Sequence, residues 1–137
     1  MSSSDHTTPV SEVMTSRVHT ASPGQKLGEI WQILVEERCH HIPVVDDGRP
    51  VGMISTRDLI HVARNHGSQK LSQAIYGSQT AGEIMSADLE TIDDVESVEV
   101  AIDRIGRGDI HALVVVDEDQ RLAGIVTNHD LLDYLIS

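Results

Sequence analysis

Two short segments of the chain combine a hydroxyl and a carboxylate at the same spacing. Residues 52–58 and 124–130 share a glycine, two apolar residues, Ser or Thr, two variable residues and Asp. Each segment is predicted to end a strand and begin a helix, where unpaired backbone N–H groups and the helix dipole can hold an anion such as phosphate. The hydroxyl can donate to a phosphate oxygen, and the Asp can accept two hydrogen bonds from a ribose diol. This combination is typical of a nucleotide site.

The same spacing also has an interpretation that needs no ligand. Ser55-x-x-Asp58 and Thr127-x-x-Asp130 fit the capping box, in which the two side chains satisfy backbone N–H groups at the start of a helix. The glycine of each segment favours a close approach by a backbone or a ligand. Because one residue can both cap and bind, both interpretations stay open from the residues alone.

The two segments belong to a duplication that runs through the chain. Aligning Met14 with Met85 also aligns residues 44–46 with residues 115–117. One inserted residue after Glu118 then brings the two glycine-to-Asp segments into register. A duplicated unit tolerates a single insertion in a turn, so we interpret the chain as one unit present twice.

Each copy shows the same order of predicted elements. A short extended segment, at residues 17–20 and 88–92, precedes a helix with a core-facing apolar stripe. Two apolar runs joined by an acidic turn then predict a strand hairpin, and a last helix begins after Ser55 and after Thr127. The predicted fold class is therefore α/β (α+β), with the order β-α-β-β-α in both copies.

The predicted boundaries are residues 10–64 for the first repeat and residues 81–136 for the second. The segment between them, residues 65–80, is rich in Gly, Ser and Gln and is predicted to be a linker. Leu71, Ala74 and Ile75 could form one helical turn or more within it.

The ordered motifs resemble a known repeat. Val13-Met14-Thr15, Val18-x-Thr20, a helix, residues 41–46 and residues 52–59 are similar to a CBS repeat, named for cystathionine beta-synthase, and the second half resembles another. The resemblance covers about residues 10–136. It implies a pair of repeats packed through their sheets about a pseudo-twofold axis, with clefts between the repeats that bind AMP, ADP, ATP or a related adenosyl ligand. It also implies a homodimer and a regulatory, non-catalytic role.

The resemblance also implies site residues by position. Asp58 and Asp130 would hold ribose hydroxyls, Ser55 and Thr127 would lie by the ribose or phosphate, and Arg57 would be the phosphate cation. The base would lie near Val18, Thr20, His41, Ile42 and Pro43 in the first copy and near Leu89, Thr91, Ala112 and Leu113 in the second. Because His129 replaces Arg57 in the second copy, we expect the first site to favour more phosphates and expect the second to be the weaker site.

Composition limits the partners and the location. The formal charge of -12 opposes attraction to nucleic acid and to anionic lipid. Neither a signal-peptide pattern nor a run of about 18 apolar residues is present, so we expect a cytoplasmic protein without a membrane partner. The single cysteine, Cys39, cannot form an internal disulfide.

The remaining chemistry-bearing residues give no catalytic or metal prediction. Cys39-His40-His41 lacks a second ligand pair at metal-binding spacing, and neighbours on a strand point to opposite faces. None of the common nucleophile, P-loop, dinucleotide or metalloprotease motifs occurs. We predict an adenine-nucleotide sensor with no resident cofactor and no metal, acting on an unidentified effector protein. The alternative is a ligand-free dimerisation or protein-interaction module.

Overall fold

The structure, a computed structural model, describes residues 8–137 and divides the chain into two compact units. One unit is His19–Asp88, and the other joins residues 8–18 with Leu89–Ser137. Each unit has its own hydrophobic core. Residues 10–18, which begin the first repeat, therefore lie in the unit that contains the second repeat's hairpin. Residues 81–88, which begin the second repeat, lie in the unit that contains the first repeat's hairpin. We call these two stretches the leading segments.

The unit His19–Asp88 holds a two-stranded sheet and four helices. In chain order these are α1 (Leu27–Glu36), β1 (His41–Asp46), β2 (Arg49–Ser55), α2 (Thr56–His66), α3 (Ser68–Tyr76) and α4 (Ala81–Ile84). The strands β1 and β2 are antiparallel and joined by Asp47 and Gly48, both at positive φ (54° and 79°). Two central residues at positive φ make the type I′ turn that fits the twist of a hairpin, which explains the Asp-Gly pair.

The strand predicted at residues 17–20 is wrong for this copy. Only Ala21 reaches the sheet, in an isolated parallel bridge to Val44. Its N–H donates to the Pro43 carbonyl at 3.0 Å, and its carbonyl accepts from the Val45 N–H at 2.7 Å. The chain then turns away at Ser22, whose carbonyl accepts from the Gln25 N–H, so no longer ladder forms.

The predicted linker contains a full helix, α3, longer than the single turn that was the minimum expectation. Ala74 and Ile75 on this helix are buried in the core of the unit. Gly28 on α1 permits the contact, because a Cβ there would lie 2.6 Å from the Ile75 carbonyl oxygen. Because most residues of this segment are polar, its sequence did not indicate that the helix packs against the core.

The second unit holds a three-stranded sheet in the order β3-β4-β5. Its elements are β3 (Thr91–Asp93), α5 (Val98–Gly106), β4 (Ala112–Val116), β5 (Leu122–Thr127) and α6 (Asn128–Ile136), preceded in the chain by a 3-10 turn at Val10–Glu12. The segment predicted at residues 88–92 forms a strand only at its end, as β3, which pairs in parallel with β4. The helices predicted after Ser55 and Thr127 are confirmed as α2 and α6.

The hairpin β4–β5 shows where the inserted residue lies. The Asp117 N–H donates to the Arg121 carbonyl at 2.9 Å, and this pair encloses residues 118–120, one residue more than the Asp47-Gly48 turn encloses between Asp46 and Arg49. Gln120 has φ 64°. Asp117 closes the loop, because its Oδ1 accepts the N–H groups of Asp119 at 2.9 Å and Arg121 at 3.0 Å. The insertion thus changes the turn and leaves the strands in the same register.

The glycine in each hairpin, Gly52 or Gly124, leaves room for a leading segment to pack against the strand. Thr15 exchanges backbone hydrogen bonds with Ile125 at 2.9 and 3.0 Å, and Met14 lies over Gly124. A Cβ at Gly124 would be 2.6 Å from the Thr15 carbonyl oxygen and 2.7 Å from the Met14 sulfur. Gly52 has the matching role, since a Cβ there would overlap the Met85 side chain. The close approach expected at these glycines is made by the protein's own backbone and Met side chains.

We expect Gly124→Ala to lower the free energy of unfolding by about 1–3 kcal/mol, the usual cost of overpacking. Gly52→Ala should cost less, because its added Cβ meets only the Met85 side chain, which can move, whereas the Gly124 position faces a backbone oxygen. Gly106→Ala is the control, since nothing lies within 4 Å of a Cβ at that position. Urea unfolding of the three variants measures the order. Equal stability of Gly124→Ala and Gly106→Ala would contradict this packing.

Candidate functional site

The start of α2 forms a complete capping box. Ser55 ends β2, is buried, and accepts the Asp58 N–H on its hydroxyl oxygen at 3.2 Å. Asp58 Oδ2 in turn accepts the Ser55 N–H and the Ser55 hydroxyl, both at 2.9 Å. The capping interpretation is therefore confirmed in the first copy. Within residues 8–137, the other carboxylate oxygen of Asp58, Oδ1, accepts no hydrogen bond.

The start of α6 repeats the capping box and adds a third partner. Asp130 Oδ2 accepts the Thr127 N–H at 3.0 Å and the Thr127 hydroxyl at 3.3 Å. Asp130 Oδ1 accepts the hydroxyl of Thr15 at 2.9 Å. Both oxygens of this carboxylate are therefore engaged. The two copies share their caps and differ in the second oxygen of the Asp.

Strand pairing brings His41, one of the predicted base-contacting residues of the first copy, to the start of α2. His41 on β1 is the register partner of Ser55 on β2, and the Thr56 N–H donates to the His40 carbonyl at 3.1 Å. Thr20 lies beside β1, because the N–H of the following residue, Ala21, donates to the Pro43 carbonyl. Val18 belongs to the other unit.

The second copy assembles the equivalent residues in the same way. Ala112 is the register partner of Thr127, and Thr91 pairs with Val114 on the adjacent strand. Leu89 precedes Glu90, whose carbonyl accepts the Val114 N–H at 2.9 Å. All seven residues predicted for the second copy's site thus lie within this one unit: Leu89, Thr91, Ala112, Leu113, Thr127, His129 and Asp130.

Burial restricts which of these side chains could meet a ligand. Ile42 and Leu113 are 0% exposed and belong to the cores of their units. Pro43 is buried as well. In this arrangement they can offer a base only their backbone groups, whereas His41 and Ala112 are half-buried.

The cations at the two helix starts differ in their surroundings. Arg57 is exposed on the first turn of α2 and makes no ion pair within the part of the chain that the structure describes. His129, its counterpart on α6, has Nε2 at 3.5 Å from Asp133 Oδ2, an ion pair when the imidazole is protonated. The α6 start therefore has an imidazole beside a carboxylate, where the α2 start has a guanidinium without an ion pair among the described residues.

The sequence interpretation missed two polar contacts in the second unit. One is the Thr15 hydroxyl on Asp130. The other is Arg104, which donates to the Thr91 carbonyl at 2.7 Å and to the Glu90 carboxylate at 2.9 Å. The Met-Thr and Met-Ser pairs at matching places in the repeats were a signal for the first contact. Nothing in the repeat pattern pointed to the second, because Ile33 stands at the position of Arg104 in the first copy.

Cys39 shows no sign of an activated nucleophile. Burial raises the pKa of its thiol, a backbone hydrogen bond opposes that shift, and the neighbouring charge of Glu37 adds to it. A raised pKa leaves less thiolate near neutral pH, and the thiolate is the nucleophile. In residues 8–137, His, Cys, Asp and Glu side chains form no group of three able to hold a metal ion. No helix in that range combines the length and apolarity needed to cross a bilayer.

We expect Ser55→Ala and Asp58→Ala each to destabilise the protein by about 1 kcal/mol, the usual effect of losing a helix cap. The two changes should be non-additive, because both side chains belong to one capping box. Arg57→Ala is the control on the same turn, since Arg57 is exposed and unpaired among the described residues. Thermal unfolding without ligand gives the comparison. Fully additive losses would contradict the mutual bonding of Ser55 and Asp58.

Relatives of known structure or sequence share this architecture. The uncharacterized protein MJ1225 of Methanocaldococcus jannaschii is 31% identical over 135 residues, which are 95% of this chain and 48% of MJ1225. Its crystal structure superposes with a TM-score of 0.82, 29% identity and coverage of 96% of this chain and 49% of MJ1225. The chain thus spans about half the length of this relative.

Two solved structures match over nearly their whole length and contain adenosyl ligands. CBSX2, a CBS-pair protein of Arabidopsis thaliana, was crystallised with AMP. The match has 29% identity, a TM-score of 0.79 and coverage of 94% of this chain and 96% of CBSX2. The CBS domain pair of protein MJ0100 was crystallised with methylthioadenosine and S-adenosyl-L-methionine. That match has 26% identity, a TM-score of 0.76 and coverage of 93% of this chain and 95% of the MJ0100 pair.

The sequence model of the CBS domain matches this chain at two places, residues 10–65 and 81–137. Both strand-to-helix junctions with their capping boxes lie inside these matches. The chain belongs to the CBS domain family and carries the domain as a tandem pair.

Proposed function

We propose that this chain is a non-catalytic sensor that binds an adenine nucleotide or a related adenosyl compound at the starts of α2 and α6. The observation that carries the proposal is the Asp58 carboxylate. Its Oδ2 is held rigidly by the capping box, while its Oδ1 is open among the described residues to accept ribose hydroxyls. The AMP bound to CBSX2 and the adenosyl ligands bound to MJ0100 support this ligand class.

Charge favours a ligand with few phosphates. The chain carries a formal charge of -12, and the only cation on the first turn of α2 is Arg57. A triphosphate would need several cations close together, so AMP fits the α2 start better than ATP. At the α6 start, the His129 imidazole lies 3.5 Å from the Asp133 carboxylate, which offsets its charge whenever the imidazole is protonated. We propose that this second site accepts an adenosyl compound with no phosphate or a single one.

Sensing requires that the ligand bind two arrangements of the protein with different affinity. We propose that the protein works as a homodimer in the cytoplasm and that occupancy of its sites alters what an effector protein contacts.

A ligand-free interaction module is the second candidate, because the capping boxes are complete without any ligand. In that case Ser55, Asp58, Thr127 and Asp130 act only in stability. The two candidates differ in what substitution of Asp58 does to binding.

Isothermal titration calorimetry with AMP, ADP, ATP, methylthioadenosine and S-adenosyl-L-methionine separates these candidates. We expect AMP to bind more tightly than ATP. Asp58→Ala should weaken AMP binding by at least about tenfold, because hydrogen bonds to a charged carboxylate are lost. Ser11→Ala, an exposed change in the 3-10 turn of the other unit, is the matched control. If none of the five compounds binds the wild-type protein, the sensor proposal is wrong and the interaction module remains.

A further inference from the structure

The Thr15 hydroxyl donates to the carboxylate oxygen of Asp130 that the capping box leaves unused. We infer that Thr15 is a positioning residue that competes with ligand for Asp130 and so sets the affinity and ribose selectivity of the α6 site. This inference rests on the proposed function. It concerns one hydrogen bond, from Thr15 Oγ1 to Asp130 Oδ1 at 2.9 Å, between residues far apart in the chain.

The backbone of Thr15 is held by more than this one bond. Its N–H donates to the Ile125 carbonyl and its carbonyl accepts the Ile125 N–H, at 2.9 and 3.0 Å. Next to it, Met14 lies against Gly124, which has no side chain to keep it away. Because the backbone is fixed on β5, little further ordering is needed for the hydroxyl to reach the carboxylate.

The unit His19–Asp88 provides a natural comparison at Ser86, which occupies the position of Thr15 in the duplication. Ser86 exchanges backbone hydrogen bonds with Met53 at 2.9 Å in both directions, as Thr15 does with Ile125. Met85 likewise lies against Gly52. Yet within residues 8–137 the Ser86 hydroxyl makes no hydrogen bond to Asp58. The two backbones match, and among the described residues only Asp130 has its Oδ1, the carboxylate oxygen outside the capping box, occupied by a hydroxyl.

This difference has a consequence for ligand selectivity. At Asp58, Oδ1 accepts no hydrogen bond from the described residues, so a ribose hydroxyl would meet no competitor from them there. At Asp130 a ribose hydroxyl must displace Thr15 or share the oxygen with it. The net gain from that hydroxyl is therefore smaller at Asp130, and loss of the ribose hydroxyls from the ligand should matter less there.

The test uses the full chain with Asp58→Ala, which leaves the α6 site to report. In this background, Thr15→Val removes the hydroxyl and keeps a β-branched side chain of the same shape. We expect Thr15→Val to tighten AMP binding about fivefold, because a ribose hydroxyl no longer competes with the Thr15 hydroxyl for Asp130. This factor corresponds to the net contribution of one ordinary hydrogen bond. Binding of 2′,3′-dideoxyadenosine monophosphate should not change, because that ligand has no hydroxyl for Asp130. Thr15→Ser keeps the hydroxyl and should leave both affinities as they were.

Calorimetry measures the affinity of each variant for both nucleotides, and urea unfolding measures its stability. Ser86→Ala in an Asp130→Ala background is the control and should change neither affinity. If Thr15→Val shifts both nucleotides equally, or neither, Thr15 has a structural role only and the inference is wrong while the proposed function stands. The same holds if AMP fails to bind the Asp58→Ala protein with and without Thr15→Val. If the wild-type protein binds no adenosyl compound, both proposals fall together.

Discussion

The close approach of a leading segment to a glycine in the hairpin is the constraint on which the rest of the structure depends. At Gly124 there is no room for a Cβ between β5 and the Thr15 carbonyl, and at Gly52 the Met85 side chain fills the space. These contacts decide which part of the chain belongs to which unit. They also bring the two motifs of the repeat together, because the Met-Thr pair of one copy lies on the glycine-to-Asp segment of the other. A ligand interpretation of the glycines is unnecessary once this packing is known.

The hairpin and the helix that follows it could be predicted from the sequence because their determinants are local. Asp47-Gly48 specifies a two-residue turn, and Ser55-x-x-Asp58 specifies a helix start, within a few residues of chain. The leading segments and the residues that follow them could not be assigned in the same way. Their partners lie far along the chain, and whether the following residues make a strand such as β3 or a single bridge such as Ala21 depends on how soon the chain turns away. The helix α3 was underestimated because its buried residues, Ala74 and Ile75, are few among polar neighbours.

The candidate site shows the same division between local and distant causes. The capping role of Ser55 and Asp58 follows from spacing alone, and the structure confirms it. The pairing of His41 with Ser55 follows from the hairpin register. By contrast, the burial of Ile42 and Leu113 in the cores follows from the fold, and a positional resemblance cannot distinguish a core side chain from a base contact. The Thr15 contact with Asp130 also needed three dimensions, because it joins the two ends of the described chain.

Capping and binding make compatible demands on a single carboxylate. A cap needs one oxygen of the Asp to accept the N–H of the Ser or Thr that precedes the helix, and this bond fixes the carboxylate in one orientation. The other oxygen then points in a defined direction, which is the preorganisation that a ligand site requires. Duplication preserves the first oxygen's role, since stability selects it in both copies whether or not a ligand binds. The contacts of the second oxygen can differ between copies, and they do: among the described residues, it has no hydrogen-bond partner at Asp58 and accepts the Thr15 hydroxyl at Asp130. Two copies with one fold can therefore carry binding sites of different strength, and the difference lies in what each carboxylate's second oxygen contacts.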